Sequence, residues 1–176
     1  IFYTLQGEGG NAGRAAVFCR FSGCNLWSGL EKHRSDAICK FCDTDFVGTN
    51  GINGGKYRTS NDLSNKIEST WSGQESRLVV FTGGEPGLQI KEELVAELQA
   101  RNFEVAIETN GTVSIPENID WVCVSPKAST KLLVTKGDEL KLVFPQKGVD
   151  PNTFVELNFT HFFLQPLDDA NLTRNS

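Results

Sequence analysis

Three cysteines pose the first chemical question. Cys24, Cys39 and Cys42 are spaced C-x14-C-x2-C. The x2 pair turns two thiolates toward one ion from a single turn, and Cys24 must reach the same ion across the intervening loop. Three chemistries fit. A Cys3His zinc site would use His33, which lies between Cys24 and Cys39, as its fourth ligand. Cys39-Lys40-Phe41-Cys42 also reads as a redox dithiol. In the third, the thiolates hold an iron–sulfur cluster. Four cysteines are the usual set for [4Fe–4S], so three leave one iron open, and an open metal position invites chemistry. On the cysteines alone, zinc ranks first.

Further residues carry chemical potential. Thr82-Gly83-Gly84-Glu85-Pro86 follows an apolar run. Paired glycines let backbone N–H groups approach a carboxylate, and Glu85 is an acceptor suited to an ammonium group, so the run fits an amino-acid head group. The plainer reading is a strand-to-helix turn with Pro86 at the helix start. Glu108, before Asn110-Gly111, could accept from ribose hydroxyls, or could be a solvated carboxylate beside a turn. Arg20 interrupts an apolar strand, and alternation puts it on the face of Ala16 and Phe18. Inside a barrel it would bind a carboxylate bidentately; on an edge strand it would face solvent. Gln6 offers both donor and acceptor.

The elements that position these residues follow from patterning. Strands are expected at 15–21, 78–82, 104–108, 120–125, 139–144 and 161–165, each closed by a Gly, Asn or Pro signal. Helices are expected at 60–71, where Leu63, Ile67 and Trp71 recur at helical spacing after Ser60 or Asn61 as cap, and at 90–101. The polar stretch 25–55 reads as a functional loop with a short helix near 31–37. The tail 168–176 has no pattern. Alternating strands and helices imply right-handed βαβ units and a parallel sheet, with a thin helical layer in the second half. Five polar clusters then fall at strand C-terminal ends, the edge where α/β active sites lie.

Composition narrows the class. The chain has 176 residues, enough to bury roughly 70% of its unfolded surface as one domain. Its 39% hydrophobic and 22% charged residues exclude disordered, collagen-like and coiled-coil chains. A net charge of −5 gives no global pull on nucleic acid or anionic membrane. No apolar run reaches the roughly 18 residues of a membrane span, and no signal peptide is visible, so a cytoplasmic location is expected. The chain contains no methionine, even at position 1, so preceding residues are expected. Cys19 and Cys123 lie in apolar strands and read as buried thiols. Trp27, Trp71, Trp121 and His161 read as packing residues. The role of Lys141, in mid-strand, is open.

A three-cysteine motif followed by Gly83-Gly84-Glu85-Pro86 resembles the radical S-adenosylmethionine superfamily. Phe2-Tyr3-Thr4-Leu5-Gln6-Gly7-Glu8-Gly9, Cys42-Asp43-Thr44, Glu108-Thr109-Asn110-Gly111, Ser125-Pro126-Lys127 and Gln165-Pro166 resemble one branch of it, the 7-carboxy-7-deazaguanine synthases, over nearly the whole chain. The superfamily usually spaces its ligands C-x3-C-x2-C; the longer first interval here matches an expanded loop found in some members of that branch.

The resemblance implies an α/β fold: a partial TIM-like βα barrel with a reduced helix layer and its active site at the C-terminal ends of the parallel strands, with the cluster loop 24–55 inserted in a single domain 1–176. It implies a [4Fe–4S] cluster on Cys24, Cys39 and Cys42, with S-adenosylmethionine on the open iron. One-electron cleavage yields a 5′-deoxyadenosyl radical that takes hydrogen from C6 of 6-carboxy-5,6,7,8-tetrahydropterin. The ring contracts, ammonia leaves, and 7-carboxy-7-deazaguanine forms for queuosine or other 7-deazapurine synthesis. Thr44 is implied as a Mg²⁺ ligand. Leu5, Gln6, Gly7, Arg20 and Thr82 are implied to contact the pterin. Phe41, Cys42, Asp43, Gly84, Ser125, Pro126, Lys127, Gln165, Pro166, Leu167 and Asp168 are implied to line the S-adenosylmethionine site, with Glu85 and Glu108 added on superfamily grounds. A reducing donor such as flavodoxin and a homodimer are implied, with no direct contact to nucleic acid or membrane. The family continues past the position of Ser176 with a further helix and strand. Gly87 stands where a larger apolar residue would be expected to pack better. Two alternatives are an activase-type radical enzyme, which lacks Thr44 and the Gln-Gly-Glu-Gly start, and a zinc-stabilised Cys3His binding module.

Overall fold

The computed structural model describes residues 1–74 and 76–167. Seven strands form one open sheet in the order of the chain, β1-β2-β3-β4-β5-β6-β7. They are β1 (Phe2–Leu5), β2 (Ala15–Phe21), β3 (Leu78–Gly83), β4 (Glu104–Thr109), β5 (Trp121–Val124), β6 (Lys136–Phe144) and β7 (Asn158–Pro166). All neighbouring pairs are parallel except β1–β2, which is antiparallel. Two α-helices, α1 (Ser60–Thr70) and α2 (Glu92–Gln99), cover the first half, and short 3-10 turns serve elsewhere. This is the expected partial barrel with a reduced helix layer.

The main core explains why the early strands take helices on their outer face. Val17, Cys19, Val79, Phe81, Val105 and Ile107 alternate outward on β2, β3 and β4 and meet Leu63 and Ile67 of α1 and Leu94, Val95 and Leu98 of α2. Burial lifts the Cys19 thiol to about 12, so it is an inert core group. On the opposite face, Ala16, Leu78, Val80 and Ala106 make a thin floor beneath the bore with Phe18 and Trp121. Behind β5–β7, Leu140, Leu142 and Phe159 are covered by the irregular segment carrying Val149, Phe154 and Leu157 instead of a helix.

Several expectations are corrected. β1 falls outside the expected strands, because four residues joined to β2 by a turn give too short an alternation to read. β6 begins at Lys136 and β7 at Asn158, both earlier than expected, since parallel pairing from Lys136↔Asn158 onward extends each. The cap of α1 is Thr59, whose hydroxyl accepts from Asp62 N at 3.0 Å, not Ser60 or Asn61. Gly87 does not leave a gap: a Cβ there would lie 2.7 Å from Val113 Cγ2 and 2.9 Å from Glu85 Oε1, so a larger residue would force one of them to shift. Trp71 packs against Tyr3 and Phe103, and His161 stacks on Trp121, as packing residues should.

Candidate active site

The strand ends build the site. Gly23-Cys24 follows β2, Thr82–Gly84 ends β3, Glu108–Asn110 ends β4, Ser125–Lys127 follows β5, and Gln165-Pro166 ends β7. All five clusters border one open cavity of 660 Å³ on the C-terminal side of the sheet. Cys24, Cys39 and Cys42 lie on its wall with Phe41, Asp43 and Thr44. Leu5, Gln6, Gly7, Arg20 and Thr82 meet the same space from β1–β3. Leu167 borders the cavity on the β7 side, its N–H donating to Phe144 O at 2.9 Å.

The cluster loop is held by named contacts. Ile38 N and Cys39 N donate to Leu26 O at 3.0 and 3.3 Å. Arg34 stacks 3.7 Å from the Trp27 ring centroid and donates to Cys42 O at 2.9 Å. Trp27 packs edge-on to Phe46, and both back Cys24 and Cys42. Gly84 N and Glu85 N donate to Phe21 O and Gly23 O at 3.0 and 2.8 Å, and a Cβ on Gly84 would overlap the Gly23 carbonyl. That close approach is why glycine stands there.

The thiols suit a cluster better than a single ion. None is in a disulfide. The Cys39 thiol shares its proton with Cys42, which drops Cys42 to about 6 and raises Cys39. Among the described residues, no three His, Cys, Asp or Glu side chains converge on a point one ion could occupy. His33 is exposed, and its Nδ1 is paired with Ser28 Oγ at 2.8 Å, outside the cavity. The Cys3His zinc reading therefore loses its fourth ligand. Three thiols on one cavity wall, with His33 turned to Ser28, fit a cluster that leaves one iron without a protein ligand.

Two residues expected at the S-adenosylmethionine site do not border the cavity themselves. Glu85 is fully buried, and its carboxylate accepts from Gly87 N, Thr109 Oγ1 and Asn110 N at 2.9, 2.7 and 2.8 Å. It staples the ends of β3 and β4 and does not border the cavity. Pro126 is buried, with its carbonyl accepting from Gln146 Nε2 at 3.1 Å. Asp168 lies outside the described residues. Glu108 borders the cavity, but on the side of Gln6, whose Nε2 donates to Glu108 Oε1 at 2.8 Å.

Lys127 is a cation without a carboxylate partner among the described residues. It donates to Ser125 O and Oγ at 2.7 Å each and lies 6.0 Å from the Phe41 ring centroid. Burial penalises its charge and lowers its pKa below the ordinary lysine value. Arg20 lies 5.8 Å from the Phe2 ring centroid, exposed to the cavity beside Phe18. Lys141 and Glu8 also border the cavity and were not among the expected site residues. The signal was present: Glu139-Leu140-Lys141-Leu142 alternates charge and apolar residue, which puts both charges on the inner face.

A six-strand parallel run with a three-thiol loop on the cavity wall at its C-terminal edge is the arrangement of a radical S-adenosylmethionine protein, and the Radical SAM superfamily matches residues 33–127. Over its full length the chain is 57% identical to a 7-carboxy-7-deazaguanine synthase of Caulobacter vibrioides, covering 84% of that protein. Proteins of the same name from Bradyrhizobium diazoefficiens and Burkholderia multivorans are 54% and 55% identical, each over 100% of this chain and 84% of their own length. The crystal structure of QueE from Escherichia coli superposes with a TM-score of 0.63 at 29% identity, over 82% of this chain and 68% of that one. The chain belongs to the 7-carboxy-7-deazaguanine synthase family.

Proposed function

We infer that this chain is a carbon–nitrogen lyase that converts 6-carboxy-5,6,7,8-tetrahydropterin to 7-carboxy-7-deazaguanine with loss of ammonia, a step of queuosine biosynthesis. The observation that carries this reading is the meeting of three thiols with the Gln6–Glu8 turn and Arg20 around one cavity, in a chain similar from end to end to synthases of that name. When bound, the cluster and S-adenosylmethionine supply a carbon-centred radical that removes a hydrogen from the pterin.

The chain's own residues do the rest. Cys24, Cys39 and Cys42 hold the cluster, and Trp27, Phe46 and Arg34 keep their loop in place. Lys127, Ser125, Gly84, Phe41, Asp43, Gln165, Pro166 and Leu167 form the S-adenosylmethionine side, with Lys127 offering its charge to the carboxylate. Arg20 faces the substrate carboxylate, and Gln6 with Glu108 faces the pterin edge. Thr44 provides a hydroxyl oxygen for Mg²⁺, a hard cation that keeps several non-protein ligands. The apolar walls at Phe2, Phe18 and Val143 limit water around the reacting carbon. A flavodoxin-type reductant, a homodimeric assembly and a cytoplasmic location complete the reading. No helix among the described residues is long and apolar enough to cross a membrane.

The test is anaerobic reconstitution with iron and sulfide, then assay with the tetrahydropterin, reductant and Mg²⁺. The protein is expected to turn brown, to bind about four irons per chain and to release 7-carboxy-7-deazaguanine by mass. A colourless protein carrying one zinc, or a brown one that cleaves S-adenosylmethionine without that product, overturns the reading.

A further inference from the structure

Inside the bore, beneath the cavity, a lysine joins three elements. Lys141 of β6 has a side chain only 5% exposed. Its Nζ lies 2.7 Å from Glu8 Oε2, on the turn after β1, and 3.3 Å from Glu108 Oε2, at the end of β4. Glu108 Oε1 accepts from Gln6 Nε2 at 2.8 Å, and Gln6 Oε1 accepts from Glu8 N at 3.2 Å. Lysine, two carboxylates and one amide therefore form a closed circuit on the cavity floor. Burial alone would lower the Lys141 pKa; the Glu108 and Glu8 carboxylates oppose it and keep the ammonium charged, while the buried Cys123 thiol stays protonated.

Folding stability alone does not account for this arrangement. A buried ion pair gains little over an apolar replacement, because desolvation offsets the Coulomb attraction. The effect on geometry is larger. A glutamine amide can face either way, and which end it shows is set by its partners. Gln6 shows its NH2 to Glu108 only while Glu108 is held, and Glu108 shares its cation with Glu8. Without that cation, the half-exposed Glu8 carboxylate and the Glu108 carboxylate repel each other and separate, and the Gln6 amide is free to turn.

We propose that Lys141 is a positioning residue: it locks the Glu8–Gln6–Glu108 circuit so that Gln6 and Glu108 present a fixed pattern of acceptors and donors to the pterin edge. This rests on the functional reading above. Lys141 touches neither the thiols nor Lys127 in the structure's hydrogen bonds, so its effect falls on substrate affinity rather than on the radical source.

The experiment compares reconstituted parent, Lys141→Met, Lys141→Arg and Glu8→Gln. Steady-state rates with the tetrahydropterin are measured beside equilibrium dialysis of the unreactive 6-carboxypterin in the presence of S-adenosylmethionine. Loss of uniform binding raises KM with little change in kcat, so Lys141→Met is expected to raise KM and the 6-carboxypterin Kd at least about tenfold, with kcat within about threefold of the parent. Lys141→Arg keeps a cation and recovers most of that loss. A Lys141→Met protein with parental iron content whose KM and Kd stay within about twofold of the parent overturns the proposal, as does a fall in kcat with Kd unchanged. If Lys141→Met does not fold, Glu8→Gln decides: its partner charge is half exposed, and the proposal requires a KM and Kd raised at least about threefold. A parent that forms no deazaguanine refutes the functional reading, while 6-carboxypterin dialysis still decides the positioning role.

Discussion

At the scale of single residues, the site separates donors to a metal cluster from charges awaiting small molecules. Cys39 is the most enclosed of the three loop cysteines, 6% exposed, so its loss cannot be replaced by a neighbouring donor. Cys39→Ala is expected to lose most bound iron and to reduce S-adenosylmethionine cleavage to background, read by iron content and by 5′-deoxyadenosine. Thr44 is expected to behave differently: Thr44→Ala should keep parental iron and absorbance while its rate dependence on Mg²⁺ shifts, and an unchanged Mg²⁺ response would remove Thr44 as a ligand. Lys127 gives a pH signature. Its pKa lies below the ordinary lysine value because burial penalises the charge, and only the charged form attracts a carboxylate. If Lys127 binds that carboxylate, affinity for S-adenosylmethionine is expected to be full at lower pH and to fall as pH rises through that depressed value. Lys127→Met should bind more weakly at pH 7 and show no such alkaline fall in a binding titration from pH 7 to 10.

At the scale of elements, the strand ends are joined more tightly than the helices are capped. Glu85 links three donors from the β3 and β4 ends with one carboxylate. In Glu85→Gln an NH2 group must face a donor, and leaving one buried group unsatisfied costs about 1–3 kcal/mol. Urea denaturation should show that loss, and iron uptake should weaken with it, because Glu85 N also donates to Gly23 O beside Cys24. Thr59→Ala removes the α1 cap far from the cavity and should cost about 1 kcal/mol with iron content unchanged. A Thr59→Ala protein that lost iron, or a Glu85→Gln protein as stable as the parent, would contradict this division.

At the scale of the whole molecule, the sheet does not close, and the bore is spanned instead by the turn after β1. Gly10 N donates to Glu139 Oε2 at 2.7 Å, and Glu8 pairs with Lys141, so alternate inner-face residues of β6 grip one turn. Glu139→Leu leaves the Gly10 N–H without its acceptor, an orphaned donor worth about 1–3 kcal/mol, so amide exchange over residues 8–11 should quicken at least about tenfold. Exchange in α1 should stay at the parental rate; equal quickening in both would mean global destabilisation rather than a loosened span.

Patterning alone located six of the seven strands, both helices, the polar loop and all five strand-end clusters, because period-2 and period-3.6 repeats and Gly or Pro stops are local signals. The cysteine spacing with Gly83-Gly84-Glu85-Pro86 placed the chain in its superfamily, since each motif stands at a fixed offset from a strand end. Local pattern cannot tell what a polar side chain faces. Glu85 and Glu108 look alike in sequence, yet one is spent on backbone and hydroxyl donors inside the fold and the other meets Gln6 and Lys141 on the cavity floor. His33 stands between Cys24 and Cys39 in the sequence, yet it pairs with Ser28. The partners of Lys141 are 133 and 33 residues away in the chain, and only the curvature of the sheet brings them within reach, because an ion pair depends on distance in space and leaves no trace in spacing along the backbone.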